Sequence, residues 1–497
     1  MSGPLVETAA GAVEGTSHPG YERFLGIPYA RPPIGRLRFG GPQSAEPHDG
    51  VFLAHDFGPH APQLPSVLEE FLGGGAPMVI DEAECLRLNV WTPKADGAKR
   101  PVMVWIHGGG FTMGTSATPW YDGERFAVDH DVVLVSLNYR LGVLGFTYLA
   151  ELGGPDFVGS GSVGIQDATA ALRWVAGNVA SFGGDPGNIT IFGESAGAMS
   201  VGTLLAIPAA KGLFHKAILQ SGAASTVLDA GEAARFTAEL LSILGLGGAS
   251  LAQLQGLPVQ ALLEAHQKLA EAHAGEGLVS RPVVDGIILG RHPNDAVEDG
   301  AAVDVPILIG TNLDEWRLFG LLDPVFSATR EEDLESAIGT HYPVDPALAL
   351  HTYRKRMGEA TPAQVLAGVI TDSVFRIPAI RLAEAQQRAG GTAWMYLFTR
   401  PTTQLGGQMG SCHGLEIPYV FNTLDQGSAP FFVGENPPTG LAREMNATWA
   451  AFARNGDPAG GGLGAWPAYE PGSRSTMILD VESRLEDDPL AEERELW

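Results

Sequence analysis

Gly193-Glu194-Ser195-Ala196-Gly197 concentrates more reactive potential than any other segment of this sequence. It lies directly after the apolar, β-branched run 188–192 and directly before a helix-forming Ala-Gly-Ala-Met. A serine with glycine two residues before and two residues after, between a strand and a helix, fits a sharp turn that lifts a hydroxyl to its apex. A serine hydroxyl is a poor nucleophile at neutral pH, so it needs a base to take its proton and a carboxylate to orient that base. In this type of arrangement the partners follow in the order serine, acid, histidine. The acid is expected just beyond the run 305–310, where Asp314 and Glu315 stand side by side and spacing does not choose between them. His341, His351 and His413 lie downstream. The first two sit in stretches rich in charge and proline that read as exposed, whereas His413 sits in a glycine-bracketed loop before an apolar segment. An oxyanion needs preorganised amide donors. His107-Gly108-Gly109-Gly110-Phe111, following the run 101–106, provides a glycine loop of that kind, and Ala196 is the residue after the nucleophile.

Positioning these groups requires a sheet. The runs 101–106, 132–137, 188–192, 217–220 and 305–310 are short and nearly continuously apolar, as strands buried on both faces of a parallel sheet are, and 393–398 and 476–479 are further candidates. Between them 167–179 and 232–244 carry apolar residues at helical spacing. The alternation predicts an α/β doubly wound architecture. Residues 251–276 read as inserted helices that cap the carboxyl ends of the strands, where such sheets bind ligands. The glycine clusters 73–75 and 460–462 read as surface loops, so 1–497 is taken as one domain.

Composition narrows the partners. The 497 residues hold 31 Lys and Arg against 57 Asp and Glu, a net charge of −26. Such a surface repels phosphate backbones and anionic lipid, so neither nucleic acid nor a membrane is expected, and a neutral or cationic small molecule is favoured. Two cysteines, Cys85 and Cys412, exclude a disulfide framework and four-thiolate zinc sites. No basic leader precedes an apolar run at the start, and no run of about 18 apolar residues occurs anywhere, so a cytoplasmic location is expected. Gly159-Ser-Gly-Ser-Val-Gly164 fits a dinucleotide fingerprint but follows a loop instead of a strand. His55, His60, His215, His266 and His273 form no metal-binding pattern and read mostly as solvated surface residues. No cofactor or metal is expected. Trp105, Trp174, Trp449 and Trp466 read as core.

Several further motifs, in consistent order along the chain, give it a family likeness. FLGIPYARPPIGRLRF at 24–39, CLRLNVWTP at 85–93, NYRLG at 138–142 and FGGDP at 182–186, leading into Ser195, resemble the type-B carboxylesterases. These are the cholinesterase-like branch of the α/β hydrolases, and the likeness is greatest to the bacterial para-nitrobenzyl esterases. The resemblance implies an α/β-hydrolase fold and a serine carboxylesterase that hydrolyses small-molecule carboxylic esters through an acyl-enzyme, without a cofactor. It implies Glu315 as the acid, His413 as the base, and Gly109, Gly110 and Ala196 as oxyanion donors. It places Glu194 and Ser221 in support around these groups, although Ser221 reads equally as a plain strand-end residue. Trp316 stands where the family usually has glycine after its Asp-Glu pair, Arg87 where it has tyrosine, and Glu84 where it has aspartate. Secreted relatives pair the cysteine matching Cys85 with one upstream, and none precedes it here, which favours an intracellular protein. Cys412 reads as a packed thiol. The same triad serves an amidase, carbamate hydrolase or lactonase, and a non-catalytic binding protein is the contrasting reading. A monomer or weak homo-oligomer is expected. Insertions at 56–84, 316–330 and 400–411 suggest a roomy mouth suited to medium acyl chains or aromatic alcohols.

Overall fold

A computed structural model describes residues 3–66, 79–248 and 250–497. The glycine cluster at 73–75, and with it part of the expected 56–84 loop, lies outside the described residues.

The apolar runs line up in one sheet of eleven strands among the described residues. In chain order these are β1 Thr16–His18, β2 Tyr21–Pro28, β3 Arg87–Thr92, β4 Arg100–Ile106, β5 Val133–Leu137, β6 Gly184–Glu194, β7 Lys216–Gln220, β8 Ile307–Asn312, β9 Ala393–Phe398, β10 Ser475–Leu479 and β11 Arg484–Asp487. Their spatial order is β11-β10-β9-β8-β7-β6-β4-β5-β3-β2-β1. Every pairing from β10 through to β5 is parallel, and antiparallel strands finish both edges. This is the large, mostly parallel sheet of an α/β hydrolase. β4, β5, β7, β8 and β9 are buried at every position, which explains their nearly continuous apolar sequences. Alternation still decides which face each side chain serves. Val102, Val104 and Ile106 join one core layer with Ile191 and Ala217, while Met103 and Trp105 join the other with Phe192, Ile218 and Leu308.

Helices cover both faces: α1 Val163–Asn178 and α2 Ala196–Leu204 pack on one and Thr439–Asn455 on the other, while α3 Ala230–Ile243 and α4 Val259–Ala272 pack together in a separate cluster. α1 begins four residues before the expected start, and β6 runs beyond the expected 188–192 at both ends. The strand expected at 305–310 begins only at Ile307, after Pro306. Residues Gly154–Ser162 form a 3-10 helix leading into α1, so the glycine pattern at 159–164 lacks the strand a dinucleotide site requires. The stretch 251–276 is helical as expected, contributing Leu251–Gln255 and α4 between β7 and β8.

One expectation fails. Of the five histidines assigned mostly to solvated surface, none is exposed. His266 Nε2 lies 2.6 Å from Ser280 Oγ, and burial lowers its pKa to about 4. His273 bridges Glu239 and Glu276 at 2.6 and 2.9 Å. His215 Nδ1 accepts from the Ile189 amide at 3.1 Å. Local polar partners allow these rings to be taken out of water, and such pairings across distant segments leave no mark in a linear sequence. Trp105, Trp174, Trp449 and Trp466 are core residues, as expected.

Candidate active site

Ser195 occupies the one-residue turn between β6 and α2, at φ 55° and ψ −125°. A non-glycine residue with positive φ is strained, and here the surrounding backbone enforces it. A Cβ at Gly193 would lie 2.6 Å from the Ile106 carbonyl oxygen, and one at Gly197 only 2.0 Å from the same atom. Glycine at both positions is therefore a matter of space. The Ser195 amide donates to the Gln220 carbonyl at 2.9 Å, which ties the turn to the end of β7. Gly222 approaches from that side, where a Cβ would meet the Ser195 carbonyl oxygen at 2.6 Å.

The candidate acid and base arrive on two loops stitched together. Beyond β8, Glu315 Oε1 accepts from the Asn312 amide at 2.7 Å, and its Oε2 lies 2.7 Å from His413 Nδ1. Glu315 is fully buried. Asp314 turns away, pairing with Arg317 at 2.9 Å and accepting from the Ser411 amide at 3.0 Å. Of the two neighbouring carboxylates, Glu315 is the one that meets His413. The loop after β9 is held by Asn312 Nδ2, which donates to the Cys412 carbonyl at 2.7 Å and to Glu416 Oε2 at 2.6 Å, and by the His413 amide, which reaches the Glu315 carbonyl at 3.3 Å. His341 and His351 are exposed on the helices Glu331–His341 and Pro346–Met357, as expected.

Ser195 Oγ makes no hydrogen bond among the described residues. His413 Nε2 lies instead 3.0 Å from Glu194 Oε1, in a geometry that does not qualify as a hydrogen bond. Burial lowers the His413 pKa, but the carboxylates of Glu194 and Glu315 outweigh it and raise it to about 9. Burial raises Glu194 to about 8 against the opposing effect of His413. Ser221 is buried at φ 53°, its amide bonded to the Gly310 carbonyl and its hydroxyl without a partner among the described residues.

The glycine loop follows β4. Gly109 and Gly110 take φ values of 103° and 59°. The Gly109 carbonyl accepts from the Thr112 and Met113 amides, both at 3.0 Å, while the Gly109 and Gly110 amides find no acceptor among the described residues. The Ala196 amide opens α2 and is likewise unspent by helix geometry. His107 braces the loop: its ring stacks on Tyr139 at 4.6 Å, and its carbonyl accepts from the Tyr139 hydroxyl at 2.9 Å. Leu278, in the segment after α4, comes within 3.6 Å of where a Gly110 Cβ would be.

A model of the carboxylesterase family matches residues 2–497. The chain belongs to the carboxylesterase family. It is 37% identical to the para-nitrobenzyl esterase of Bacillus subtilis (strain 168), over 100% of this chain and 98% of that one. It is 35% identical to the phenmedipham hydrolase of Pseudarthrobacter oxydans, over 96% and 95%. A solved carboxylesterase of Geobacillus stearothermophilus superposes with a TM-score of 0.89 at 41% identity, each chain covered to 99%. This carboxylesterase is accordingly a carboxylic ester hydrolase of the α/β-hydrolase fold.

Around its site stand groups the sequence did not single out. Glu416 is fully buried, accepts from Asn312 and from Gln220 Nε2 (3.1 Å), and has its pKa raised by burial to about 7. Gln220 Oε1 in turn accepts from Trp449 Nε1 at 2.9 Å. A carboxylate inside the apolar stretch 410–421, three residues after His413, was the available signal. Trp316 packs against Phe319 at 5.0 Å, and Phe319 against the His413 ring at 5.1 Å. The glycine-to-tryptophan departure therefore acts on the aromatic surroundings of the imidazole. Residues 316–330 and 400–411 both contribute to a groove of about 280 Å³, bordered by Arg317, Leu321, Phe326 and Gln408.

In this carboxylesterase Glu194→Gln is expected to shift the acidic limb of the kcat/KM profile to lower pH by about one unit. Removing a carboxylate that favours the imidazolium lowers the His413 pKa, so the basic form persists in more acidic solution. An unmoved limb would show that Glu194 does not act on the imidazole.

Proposed function

We propose that the chain is a serine carboxylesterase working through an acyl-enzyme. Ser195 Oγ attacks the ester carbonyl carbon while His413 Nε2 takes its proton. Glu315 holds Nδ1–H and stabilises the imidazolium, and the amides of Gly109, Gly110 and Ala196 receive the oxyanion. Collapse breaks the bond to the alcohol oxygen, which leaves with the proton from His413. Water then repeats the sequence and releases the acid. The observation that carries this reading is the 2.7 Å contact between Glu315 Oε2 and His413 Nδ1, both groups buried at the carboxyl edge of the sheet beside the strained serine turn.

Small-molecule esters with medium acyl chains or aromatic alcohols are the proposed substrates, with the acidic surface favouring neutral or cationic ones. Cys85 and Cys412 are buried free thiols, which supports work in a reducing compartment such as the cytoplasm. The test is a panel of p-nitrophenyl esters from acetate to decanoate, set against the matched p-nitroanilides and against phenmedipham, after which one relative is named. Ester turnover is expected to exceed that of the anilides by at least about a hundredfold, roughly 2.7 kcal/mol of barrier. Anilide turnover equal to or above that of the ester would assign an amidase instead, and preferential hydrolysis of phenmedipham would redirect the substrate class.

A further inference from the structure

Behind the site lies a charged cluster that the proposed chemistry does not use. The helix Pro362–Thr371 passes into the helix Ile377–Arg388 through one π turn, Asp372–Arg376. Such turns break the regular ladder and persist where something locks them. Here the lock is explicit. Arg376 Nε and Nη2 donate to Asp372 Oδ1 and Oδ2 at 2.6 and 2.7 Å, and the Tyr353 hydroxyl donates to Asp372 Oδ2 at 2.5 Å. Trp497 Nε1 reaches the Tyr353 oxygen at 3.3 Å. Asp372, Arg376 and Tyr353 are all buried. A buried ion pair adds little net stability after desolvation, so its value here is geometric.

The π turn carries Phe375, whose ring centre lies 4.8 Å from that of His413. Phe319 supplies the second ring at 5.1 Å, and Trp316 backs both, at 5.0 Å from Phe319 and 6.5 Å from Phe375. One hydrogen bond from Nδ1 to Glu315 fixes a point on the imidazole but leaves the plane free to turn about that contact. The tilted contacts of the Phe375 and Phe319 rings, at 40° and 47° to the imidazole, are what set the plane. The plane decides where Nε2 points, and the competing direction is visible in its 3.0 Å approach to Glu194.

We propose that Asp372, with Arg376 and Tyr353, is a positioning residue: the cluster locks the π turn so that Phe375 sets the plane of the His413 imidazole and aims Nε2 at Ser195. The proposal rests on the assignment of His413 as the base. It predicts an effect on turnover, because the plane matters when the proton moves, and little effect on the affinity for substrate.

The test uses the full-length chain with p-nitrophenyl butyrate, and kcat is expressed per active site titrated with diethyl p-nitrophenyl phosphate, so that misfolded protein is not counted. Phe375→Leu is expected to lower kcat about tenfold with KM held within about twofold, and Phe375→Tyr, which keeps the ring, to restore it. Tyr353→Phe is expected to lower kcat about threefold in the same manner. In the double variant the Tyr353 change adds nothing to the loss at Phe375, because it acts through that ring. If F375L yields no titratable protein, F375M carries the same readout. Losses that multiply independently, a KM rise at constant kcat, or an F375L enzyme with unchanged kcat would each overturn the proposal. Ser195→Ala is run alongside: turnover by that variant refutes the triad, whereas an inert S195A beside an unaffected F375L refutes only the positioning role.

Discussion

Ser195→Ala is expected to lower kcat for p-nitrophenyl butyrate by about a millionfold without lowering the melting temperature. The two halves of that result have separate causes. In the proposed mechanism, without Oγ there is no atom to form the acyl-enzyme, and the amides of Gly109, Gly110 and Ala196 can assist only the slow attack of water. Stability is spared because Oγ makes no hydrogen bond among the described residues, so no buried partner is left unpaired, and Ser195 is only half-buried. Turnover and thermal melting, together with loss of labelling by a fluorophosphonate, provide the check. Retention of more than about one per cent of wild-type turnover would remove Ser195 from the mechanism.

Glu315→Gln is expected to cost about ten-thousandfold in kcat with the fold retained. Glu315 accepts twice, from the Asn312 amide at Oε1 and from His413 at Oε2. A glutamine can satisfy the first only by turning its NH2 toward the imidazole. Nδ1 must then become the acceptor, the proton moves to Nε2, and the nitrogen that should receive the serine proton is already occupied. Aspartate at the neighbouring position offers no rescue, since Asp314 is engaged by Arg317 and the Ser411 amide. Asp314→Asn therefore serves as the control, expected to stay within about tenfold of wild type; equal losses at 314 and 315 would mean that neither is the orienting acid.

Much of this was legible in the linear chain because parallel strands buried on two faces cannot alternate, and because the serine turn demands glycine at fixed offsets. Those are local rules, and they placed β4 through β9 and the turn at Ser195 to within a few residues. The glycine loop at 108–110 was legible for the same reason. What stayed hidden was pairwise and long-range. Nothing in the spacing of Asp314 and Glu315 states which side chain faces a loop about a hundred residues later. The buried links from Asn312 to Glu416 and from Tyr353 to Asp372 are likewise properties of packed segments, as are the partners that take His266 and His273 out of solvent. The π turn at Asp372–Arg376 follows ordinary helical sequence and is revealed only by the side chains that lock it.

The close approaches of main chain beneath Ser195 divide the molecule into a part that resists change and a part that invites it. At Gly193, Gly197 and Gly222 a single added carbon would collide with a neighbouring peptide, and no flexible side chain is there to yield. The segments 274–282 and 316–330 meet the site through side chains instead, Leu278 beside the glycine loop and Phe319 against the imidazole. A campaign to alter ester preference should therefore spend its diversity on those borders and leave the glycine seat untouched, since new selectivity can be explored there while the reactive hydroxyl keeps its station.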